Sequence, residues 1–391
     1  MPQVGTLVSG NVRTDQVLAA KVPVNMDRHI HLQETSKYLF EYIVRSIRKS
    51  KAETNMRCDF LEQRPHPLTV VGTAIEAAGQ TVIAVDNGTY VKADQLLYNT
   101  RTNEMYLVAS ISSNNVTIVN HAAGTGGVTF ATAVGDIMLI LPEAHAEGEA
   151  IPAAYSQQPV EVQTYLMQSD SVRGNTDIQR RTAEYGMKQL LVDRKLKWIE
   201  YKRGKDLLMY LGKNVREVTS ASGPRRHTSR GMREYITTNK EDFSTVGGGL
   251  SLQTVAELIR RTTAYSASSD VKVGVCGQNA WAQISAMPNT AIRTTVSEQE
   301  WGKRLKTLIT GHGNLAVGYD PILKQENGLQ DIFVIFDPAH ICHAHLQGEP
   351  ERLILNVEDS TDIHNQKDVI TGTFGLLLML EELHAWGYGI N

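Results

Sequence analysis

Cysteine is scarce in this chain of 391 residues, which has only three, Cys58, Cys276 and Cys342. Their odd number and wide separation argue against a disulfide framework and favour folding in a reducing cytoplasm, with the thiols packed as small apolar groups. Long apolar runs are also missing, because no stretch approaches the roughly 20 consecutive apolar residues that a membrane-spanning helix needs. The amino terminus lacks the basic and then apolar segments of a signal peptide. We therefore expect a chain that neither spans a membrane nor is secreted by a signal peptide.

A large net charge is absent as well, since the formal charge is -3 at pH 7. No global field draws the whole chain onto nucleic acid or an anionic membrane, so any such contact must be local. The apolar fraction of 41% and the charged fraction of 21% are close to globular averages and argue against disorder or a fibrous class. The length allows one large domain or two to three ordinary ones.

Familiar catalytic motifs are missing too. The sequence has no His-Glu-x-x-His, no phosphate loop ending in Gly-Lys-Ser/Thr and no Gly-x-Ser-x-Gly. The commonest hydrolase and nucleotide-using classes are therefore disfavoured, and we expect no catalytic residue, no cofactor and no metal.

The amino-terminal part predicts an arm followed by a helix. Residues 1–33 are rich in Val, Thr, Gln and Asn, with apolar residues too scattered to form one buried face. This pattern predicts an extended arm that needs a neighbouring surface, because a lone extended segment leaves its backbone groups unpaired. From Glu34 to about Lys51, apolar residues at helical spacing predict a helix with a basic carboxyl end, which suits the helix dipole.

Residues 68–142 change to short β-rich runs separated by turn residues. These runs are Thr81–Val85, Met105–Ile111, Val116–Val119 and Ile137–Leu141. They predict a small all-β barrel or sandwich, inserted between Pro65, Pro67 and Pro142, with its two ends close together. The stretch Gly124–Gly127 could cradle a phosphate, but it lies between strand signals rather than before a helix, so a hairpin turn is favoured.

The longest helical signal runs from Asp177 to about Gly212, after an extended segment. Its apolar residues share one face at steps of three, four or seven, and they are Tyr185, Val192, Leu196, Ile199, Leu207 and Tyr210. Such a helix would be on the order of 50 Å long, which suits a thin, plate-like subunit.

The carboxyl half has mixed patterns, so the predicted fold class is α+β. Predicted helices are Leu252–Tyr265, with Ser251 as its cap, Asn279–Met287 and Gln299–Ile309. Predicted strands are Val271–Val275, Ile332–Phe336, Leu353–Val357 and Phe374–Leu380.

The region from Arg173 to Lys240 is basic, with 17 Lys or Arg against 7 Asp or Glu. Phosphate contacts from such a face would be independent of base sequence and sensitive to salt. The other interpretation is a solvated helix face with ion pairs within or between subunits, and aromatic residues are not interleaved as in a single-strand binding groove. The candidate DNA-facing or intersubunit residues are Arg180, Arg181, Arg194, Lys195, Arg225 and Arg226.

A cluster of soft and imidazole side chains lies at His340–His345 and resembles a set of metal ligands. If the segment is a strand, His343 and His345 point to one face, while His340 and Cys342 point to the other. Because no second Cys/His cluster supplies further ligands, ordinary strand packing is favoured over metal binding.

The order of these parts resembles the major capsid proteins, or major head proteins, of tailed bacteriophages with the Hong Kong 97 fold. The sequence is most similar to the branch with an extra β domain in the excursion called the E-loop. Four motifs mark this domain and its exit: Val70–Ala74, Asn115–Val119, Gly135–Met138 and Ala144–Gly148. Three further segments resemble the family's spine helix and carboxyl-terminal strand: Arg181–Gly212, Gly372–Leu376 and Glu381–Gly387.

The resemblance implies a division of the chain into seven parts. These are an extended arm (1–33), the first helix and outgoing E-loop arm (34–67), the inserted β domain (68–142), the returning E-loop arm (143–172), the peripheral domain with the spine helix (173–240), the axial domain with parts of the peripheral sheet (241–370) and the carboxyl-terminal strand (371–391).

The implied function is that of a non-enzymatic shell protein, which self-assembles as pentamers and hexamers into the icosahedral head around packaged double-stranded DNA. Implied partners are other copies of the chain, a portal protein, DNA bound non-specifically, and a decoration (cement) or scaffolding protein, with no membrane. The resemblance also implies that the protein lies in the virion, and in the host cytoplasm during assembly. No Lys–Asn pair for a covalent crosslink can be placed. The alternatives are an encapsulin-type nanocompartment shell protein and a nucleic-acid-binding oligomer.

Overall fold

The computed structural model describes residues 39–47, 50–121, 126–144, 147, 158–176, 189–218, 226–245, 249–265, 267–287, 292–293, 299–300, 303–304, 306–359 and 362–390. The chain divides into two compact units, here called the body (Met1–Phe60 with Val162–Asn391) and the β unit (Leu61–Glu161). The predicted arm of residues 1–33 lies outside the described residues.

The first described elements are α1 (Leu39–Ile47), β1 (Lys51–Glu53) and β2 (Arg57–Glu62). Helix α1 confirms the helix predicted from residue 34, although residues 34–38 and 48–49 lie outside the described part. Its apolar positions Phe40, Ile43 and Val44 are buried, and the Phe40 ring stacks on Tyr210 with centroids 4.6 Å apart. The apolar residues at helical spacing thus form one face of α1, and this face packs into the body's core.

The β unit contains six antiparallel strands in the order β3-β8-β5-β6-β7-β4. They are β3 (Thr69–Val71), β4 (Val82–Ala84), β5 (Gln95–Asn99), β6 (Glu104–Ser112), β7 (Asn115–Asn120) and β8 (Ile137–Glu143). The four predicted runs are confirmed as strands. Two backbone hydrogen bonds, Thr73 N to Ala84 O and Asp86 N to Val71 O, both 2.9 Å, join the ends of β3 and β4. The sheet therefore closes on itself as a small barrel, which leaves few unpaired edges.

The barrel interior is apolar, and one charged group ties its rim together. The core includes Ile83, Leu97, Tyr106 and Met138, all with no exposed surface. At the rim, the buried Asp136 carboxylate accepts hydrogen bonds from Arg101 Nε at 2.5 Å, from Asn99 Nδ2 at 3.1 Å and from Ala133 N at 2.9 Å. The Arg101 hydrogen bonds hold the pKa of Asp136 well below its usual value. The glycine-rich stretch predicted as a hairpin turn lies partly outside the described residues, at 122–125.

The rest of the body follows the β unit. Its elements are β9 (Val160–Tyr165), β10 (Met167–Thr176), α2 (Gln189–Leu211), β11 (Val215–Val218), β12 (Arg226–Thr228), α3 (Met232–Tyr235), β13 (Lys240–Asp242), α4 (Leu252–Thr262), β14 (Val271–Cys276), α5 (Gln278–Ala286), β15 (Ile292–Arg293), β16 (Gln299–Glu300), β17 (Lys303–Arg304), β18 (Lys306–Thr310), β19 (Gly313–Tyr319), β20 (Phe333–Phe336), β21 (Ile341–Leu346), β22 (Arg352–Asp359), β23 (Asp362–Leu378) and β24 (Ala385–Tyr388).

Two sheets organise the body. A seven-stranded mixed sheet has the order β13-β24-β20-β14-β19-β18-β15, and a second sheet has the order β1-β21-β23-β10, with β22 also paired to β23. Strand β2 pairs with β9. Helices α4 and α5 contact the seven-stranded sheet through β19. The observed fold is α+β, as predicted.

The carboxyl half matches most of the sequence patterns. Helix α4 begins after Ser251, whose hydroxyl accepts from Thr254 N at 3.2 Å while Thr254 Oγ1 accepts from Ser251 N, so the predicted cap is confirmed. Helix α5 and strands β14, β20 and β22 are also confirmed. The three cysteines, all in the described part of the chain, are buried and form no disulfide. Strand β23 begins at Asp362, well before the predicted start at Phe374.

The helix predicted at Gln299–Ile309 is wrong, because this stretch forms β16, β17 and β18. Apolar residues at helical spacing suggested the helix, but Leu308 pairs with Leu315 across a hairpin and is fully buried there. The hairpin turns at Gly313, whose φ of 142° suits glycine. Tertiary pairing with β19 therefore outweighed the local pattern.

Helix α2 gives the described part of the predicted long helix, and residues 177–188 lie outside it. Its 23 residues span about 35 Å. The predicted face is largely confirmed, since Val192, Ile199 and Tyr210 are buried. None of the helices in the described segments is long and apolar enough to cross a membrane.

We expect Asp136→Asn to destabilise the β unit by roughly 1–3 kcal/mol, because the charge-assisted bonds to Arg101 are lost inside a buried rim. The four tryptophans all lie outside residues 61–161. Thermal unfolding seen by far-ultraviolet circular dichroism should therefore gain an earlier transition that tryptophan fluorescence does not report.

The matched control is Asp94→Asn, because Asp94 has a φ of 65°, which asparagine tolerates well. This variant should unfold like the unmodified chain. An unchanged circular dichroism profile for Asp136→Asn, or a shift seen only in fluorescence, would contradict the assigned role of Asp136.

Candidate functional site

Strands β10, β22 and β23 of the body form a three-stranded β-arm. The central strand β23 pairs with β10 from Phe374 to Asn365 and with β22 from Thr371 to Asp362. With 17 residues, β23 is on the order of 55 Å long.

Helix α2 contacts the β-arm through one of the predicted basic residues. Arg194 Nε donates to Asp368 Oδ2 at 2.6 Å, and Asp368 is buried. Arg194 is thus engaged within its own chain. Lys195 and Arg226 are exposed, while Arg180, Arg181 and Arg225 lie outside the described residues.

A buried charge cluster joins α1, α2 and the segment before β22. Its members are the carboxylates of Glu41 and Glu351 and the cations of Arg45, Lys202 and Lys205. Lys205, whose side chain is fully buried, contacts both carboxylates, with Nζ 2.8 Å from Glu41 Oε1. Lys202 Nζ lies 2.9 Å and 2.8 Å from the same two groups, and Arg45 lies 3.0 Å from each. Every carboxylate therefore faces three cations.

The cations around each carboxylate determine the pKa shifts in this cluster. Burial raises the pKa of Glu351 and Glu41, but Lys205, Lys202 and Arg45 outweigh burial and hold both pKa values below the usual range. Burial lowers the pKa of Lys205, and Arg45 and Lys202 lower it further, which together outweigh the opposite effect of Glu41 and Glu351. The net charge of +1 makes this a place that would repel a further cation.

Strand β21, which carries His343 and His345, lies against this cluster. His343 Nδ1 and His345 Nδ1 lie 2.6 Å and 2.9 Å from Ser50 Oγ, which confirms that both rings project from one face of β21. Cys342 packs among apolar residues, and His340 precedes the strand. Burial, followed by Lys205 and Arg45, lowers the pKa of His343 to about 2, so this ring is neutral.

Among the described residues, Glu41, His343 and Glu351 converge closely enough to ligate a metal, with one donor atom from each within 4.8 Å of the others. Both carboxylates, however, are already bound by Lys202, Lys205 and Arg45. A divalent metal would have to displace these cations from a cluster that is already positive. The arrangement therefore suits an ion-pair junction between elements and not a metal centre.

A buried pair of carboxyl groups lies next to the cluster. Asp206 and Asp320 have no exposed surface. Asp206 Oδ1 accepts from Glu41 N at 3.0 Å, and Asp320 Oδ2 accepts from the Tyr210 hydroxyl at 3.0 Å. Phe40 N also donates to Asp320, so the pair satisfies the amino end of α1.

Ionisation of both carboxyl groups at once is unfavourable at this buried site. Burial first, and then the neighbouring Asp320, raises the pKa of Asp206, and burial also raises the pKa of Asp320. In the described part of the chain, Asp206 Oδ2 meets no N–H or O–H donor. A proton on one carboxyl supplies that donor and avoids two adjacent buried charges.

The sequence patterns did not identify these groups as a site. One signal was available, because Asp206 lies four residues before Tyr210 and seven after Ile199, within the stripe predicted to be buried. A carboxyl on a buried helix face needs a partner, which points to an unusual local chemistry. Nothing in the local sequence identified Glu41, Asp320 or Glu351 as the partners.

We expect Asp206→Asn to stabilise the body above neutral pH by on the order of 1–3 kcal/mol. A carboxyl whose pKa is raised on folding stabilises the fold below its unfolded pKa, and this contribution is lost as pH rises through the folded pKa. An amide at position 206 can still accept from Glu41 N and can donate permanently to Asp320. Denaturant unfolding from pH 5 to pH 9 should show a shallower loss of stability.

The matched control is Glu200→Gln on the exposed side of the same helix, which should follow the unmodified chain within about 0.5 kcal/mol. Equal pH slopes for Asp206→Asn and the unmodified chain would contradict a raised pKa at Asp206.

Comparison with known proteins gave matches to solved capsid structures and to one family. A chain titled "The capsid of Myoviridae Phage XM1" has 10% identity and a TM-score of 0.49, covering 95% of this chain and 98% of that one. A chain of Microbacterium phage Oxtober96 has 9% identity and a TM-score of 0.48, covering 97% and 99%. The holo-SrpI encapsulin of Synechococcus elongatus PCC 7942 has 10% identity and a TM-score of 0.40, covering 61% and 78%.

No curated protein sequence gives a significant match. The model of the SU10 major capsid protein family matches residues 28–391, which is nearly the whole chain. This chain therefore belongs to the SU10 major capsid protein family and is a major capsid protein of a phage shell.

Proposed function

We propose that this capsid protein has the Hong Kong 97 fold and that its β unit is an extra domain carried in the E-loop. The order of elements supports this proposal. Helix α1 is followed by β2, which pairs with β9, and a closed barrel lies between these strands in sequence. Strand β10, the long helix α2, the mixed α/β sheet and then strands β22 and β23 of the β-arm follow, an order that supports the Hong Kong 97 fold.

The proposed parts keep the boundaries predicted from the sequence. Residues 1–33 are the extended arm, 34–67 and 143–172 the two E-loop arms, and 68–142 the inserted domain. Residues 173–240 form the peripheral domain with α2 as its spine, 241–370 the axial domain with parts of the peripheral sheet, and 371–391 the carboxyl-terminal strand. The inserted domain would clamp neighbouring subunits, receive a decoration protein or thicken the shell.

The assembled product is an icosahedral head that encloses packaged double-stranded DNA. Heterologous contacts between copies close into rings, here pentamers and hexamers, and many weak contacts per subunit together give a stable shell. Assembly would occur in the host cytoplasm, with a portal protein at one vertex and with a separate scaffolding protein or none. The protein's role is structural, and we assign it no reaction.

The match of residues 28–391 to a phage capsid family is the observation that carries this function. A nucleic-acid-binding oligomer and an encapsulin-type nanocompartment remain secondary, because this match names a phage capsid protein.

We further propose that basic residues of the peripheral domain face the DNA or a neighbouring copy. The candidates are Arg180, Arg181, Arg194, Lys195, Arg225 and Arg226. The exposure of Lys195 and Arg226 supports such contacts, whereas Arg194 is held by Asp368 within its own chain.

Deleting residues 1–33 should leave a soluble, folded body that no longer closes into shells, because the arm is proposed to bury surface against other copies. Negative-stain imaging and sedimentation of the full and shortened chains check this. Normal particles from the shortened chain would rule out the arm as an assembly element.

Charge reversal at Arg180, Arg181 and Lys195 should weaken genome retention, because like charges would then face the phosphates. Nucleic-acid content per particle, measured by absorbance after nuclease treatment at several salt concentrations, gives the result. Arg260→Glu, an exposed reversal on α4 outside residues 173–240, is the control. Particles with unchanged DNA content and unchanged assembly would remove these residues from the DNA-facing surface.

A further inference from the structure

The buried charge cluster has one positive charge more than its carboxylates balance. Lys205, Lys202 and Arg45 face only Glu41 and Glu351 within it. Apart from burial, the groups that shift the pKa of Lys205 are the other four members of the cluster, so the balancing charges come from within it. A buried charge without a counter-ion is costly, because the protein interior screens it poorly. The cluster therefore attracts an anion that can reach it.

A cleft in the body leads to this cluster. Its lining includes Arg45, Ser50, His343 and His345. The volume of about 230 Å³ leaves room for a small oxyanion and several waters, since one water takes up about 30 Å³ in the liquid. The Arg45 side chain is 36% exposed. Of the three cations, Arg45 is thus the one that a ligand in the cleft would contact.

His343 lines the cleft with a buried ring that has an unpaired nitrogen. The residue is 1% exposed, and its Nδ1 lies 2.6 Å from Ser50 Oγ. Its Nε2 meets no donor or acceptor among the residues that the structure describes. A buried polar atom without a partner is costly, and native proteins leave few of them. A ligand in the cleft can supply the partner.

The Ser50 hydroxyl determines which nitrogen of His343 carries the proton. It lies 2.6 Å from His343 Nδ1 and 2.9 Å from His345 Nδ1, and it has one proton to donate. The shorter distance favours donation to His343, so Ser50 Oγ accepts from His345 Nδ1–H in turn. His343 then carries its proton on Nε2, and the missing partner is an acceptor. A negatively charged acceptor would satisfy both this ring and Arg45.

We propose that this cleft binds a phosphate group, supplied by inorganic phosphate or by a phosphodiester of DNA. The Arg45 guanidinium and His343 Nε2–H would donate to its oxygens, and its charge would offset the excess charge of the cluster. Because the donors come from two elements, α1 and β21, an ion with several acceptor oxygens fits them well. Glu351 adds little repulsion, since both of its oxygens are already bound by cations.

The site lies within one copy, so the inference does not rest on shell assembly. It is also separate from the basic residues proposed above to face the DNA or a neighbouring copy, because neither Arg45 nor His343 is among them. Failure of the phosphate site would leave the capsid function unaffected.

The test measures binding of inorganic phosphate to the full chain by isothermal titration calorimetry, with chloride keeping the ionic strength constant. The unmodified chain should bind phosphate with a dissociation constant on the order of 1 mM. Arg45→Gln and His343→Phe should each weaken binding roughly tenfold or more, because each loses a hydrogen bond to a charged group. In ¹⁵N spectra of the histidine-labelled chain with phosphate, His343 should be protonated at Nε2.

The matched control is Arg352→Gln, which removes an exposed arginine paired with Glu349 and should leave the affinity within about twofold. Circular dichroism checks the folding of each variant. If His343→Phe unfolds, Ser50→Ala replaces it. This change removes the hydroxyl that fixes the proton of His343 and should weaken binding by roughly threefold or more.

Competition with a short DNA duplex distinguishes the two sources of phosphate. A duplex that displaces inorganic phosphate identifies the DNA backbone as the source, and a duplex that does not identifies free phosphate, so either result supports the site. Unchanged affinity in Arg45→Gln or in the His343 variant overturns the proposal, as does the absence of binding at millimolar phosphate or a proton on His343 Nδ1. Acetate that binds as tightly as phosphate also overturns it, because a carboxylate of another protein would then fit equally well.

Discussion

The burial of Lys205 between two carboxylates is the constraint on which the arrangement of the body depends. Glu41 belongs to α1 and Glu351 lies just before β22, so one ammonium group on α2 connects three parts of the chain. Removing either carboxylate would leave three cations around the other, and removing Lys205 would take a buried cation from both carboxylates, so each change is more costly than losing an exposed ion pair. The positions of α1, α2 and the root of the β-arm are therefore coupled.

The Asp206–Asp320 pair extends this coupling by a different chemistry. It binds the amino end of α1 through backbone hydrogen bonds, on the same helix that supplies Glu41 to the cluster. The cluster requires charged groups, whereas the carboxyl pair requires a proton. Two adjacent junctions of one short helix thus respond in opposite ways to pH, which limits the conditions in which both are at their most stable.

The interior and the surface of the body differ in how completely their side chains are paired and buried. Inside, charges and hydrogen-bonding groups are matched closely, and apolar residues of α1, α2 and the sheets form continuous cores. Along the β-arm, aliphatic side chains such as Val172, Leu353 and Ile354 are left exposed. A shell protein has a physical reason for this contrast, because surfaces that remain unsatisfied in one copy provide the free energy that joins copies.

Much of this organisation was encoded locally. The sequence by itself determined helix α4 with its Ser251 cap, four strands of the barrel and the buried face of α2, because periodicity, caps and turns act over a few residues. The order of these parts also indicated a phage capsid protein. Tertiary structure alone decided that Gln299–Ile309 pairs as strands, that Arg194 binds Asp368, and that Lys205 meets Glu41 and Glu351 from 164 and 146 residues away. Such contacts depend on which surfaces come together after folding, and no local pattern specifies the partner of a buried charge.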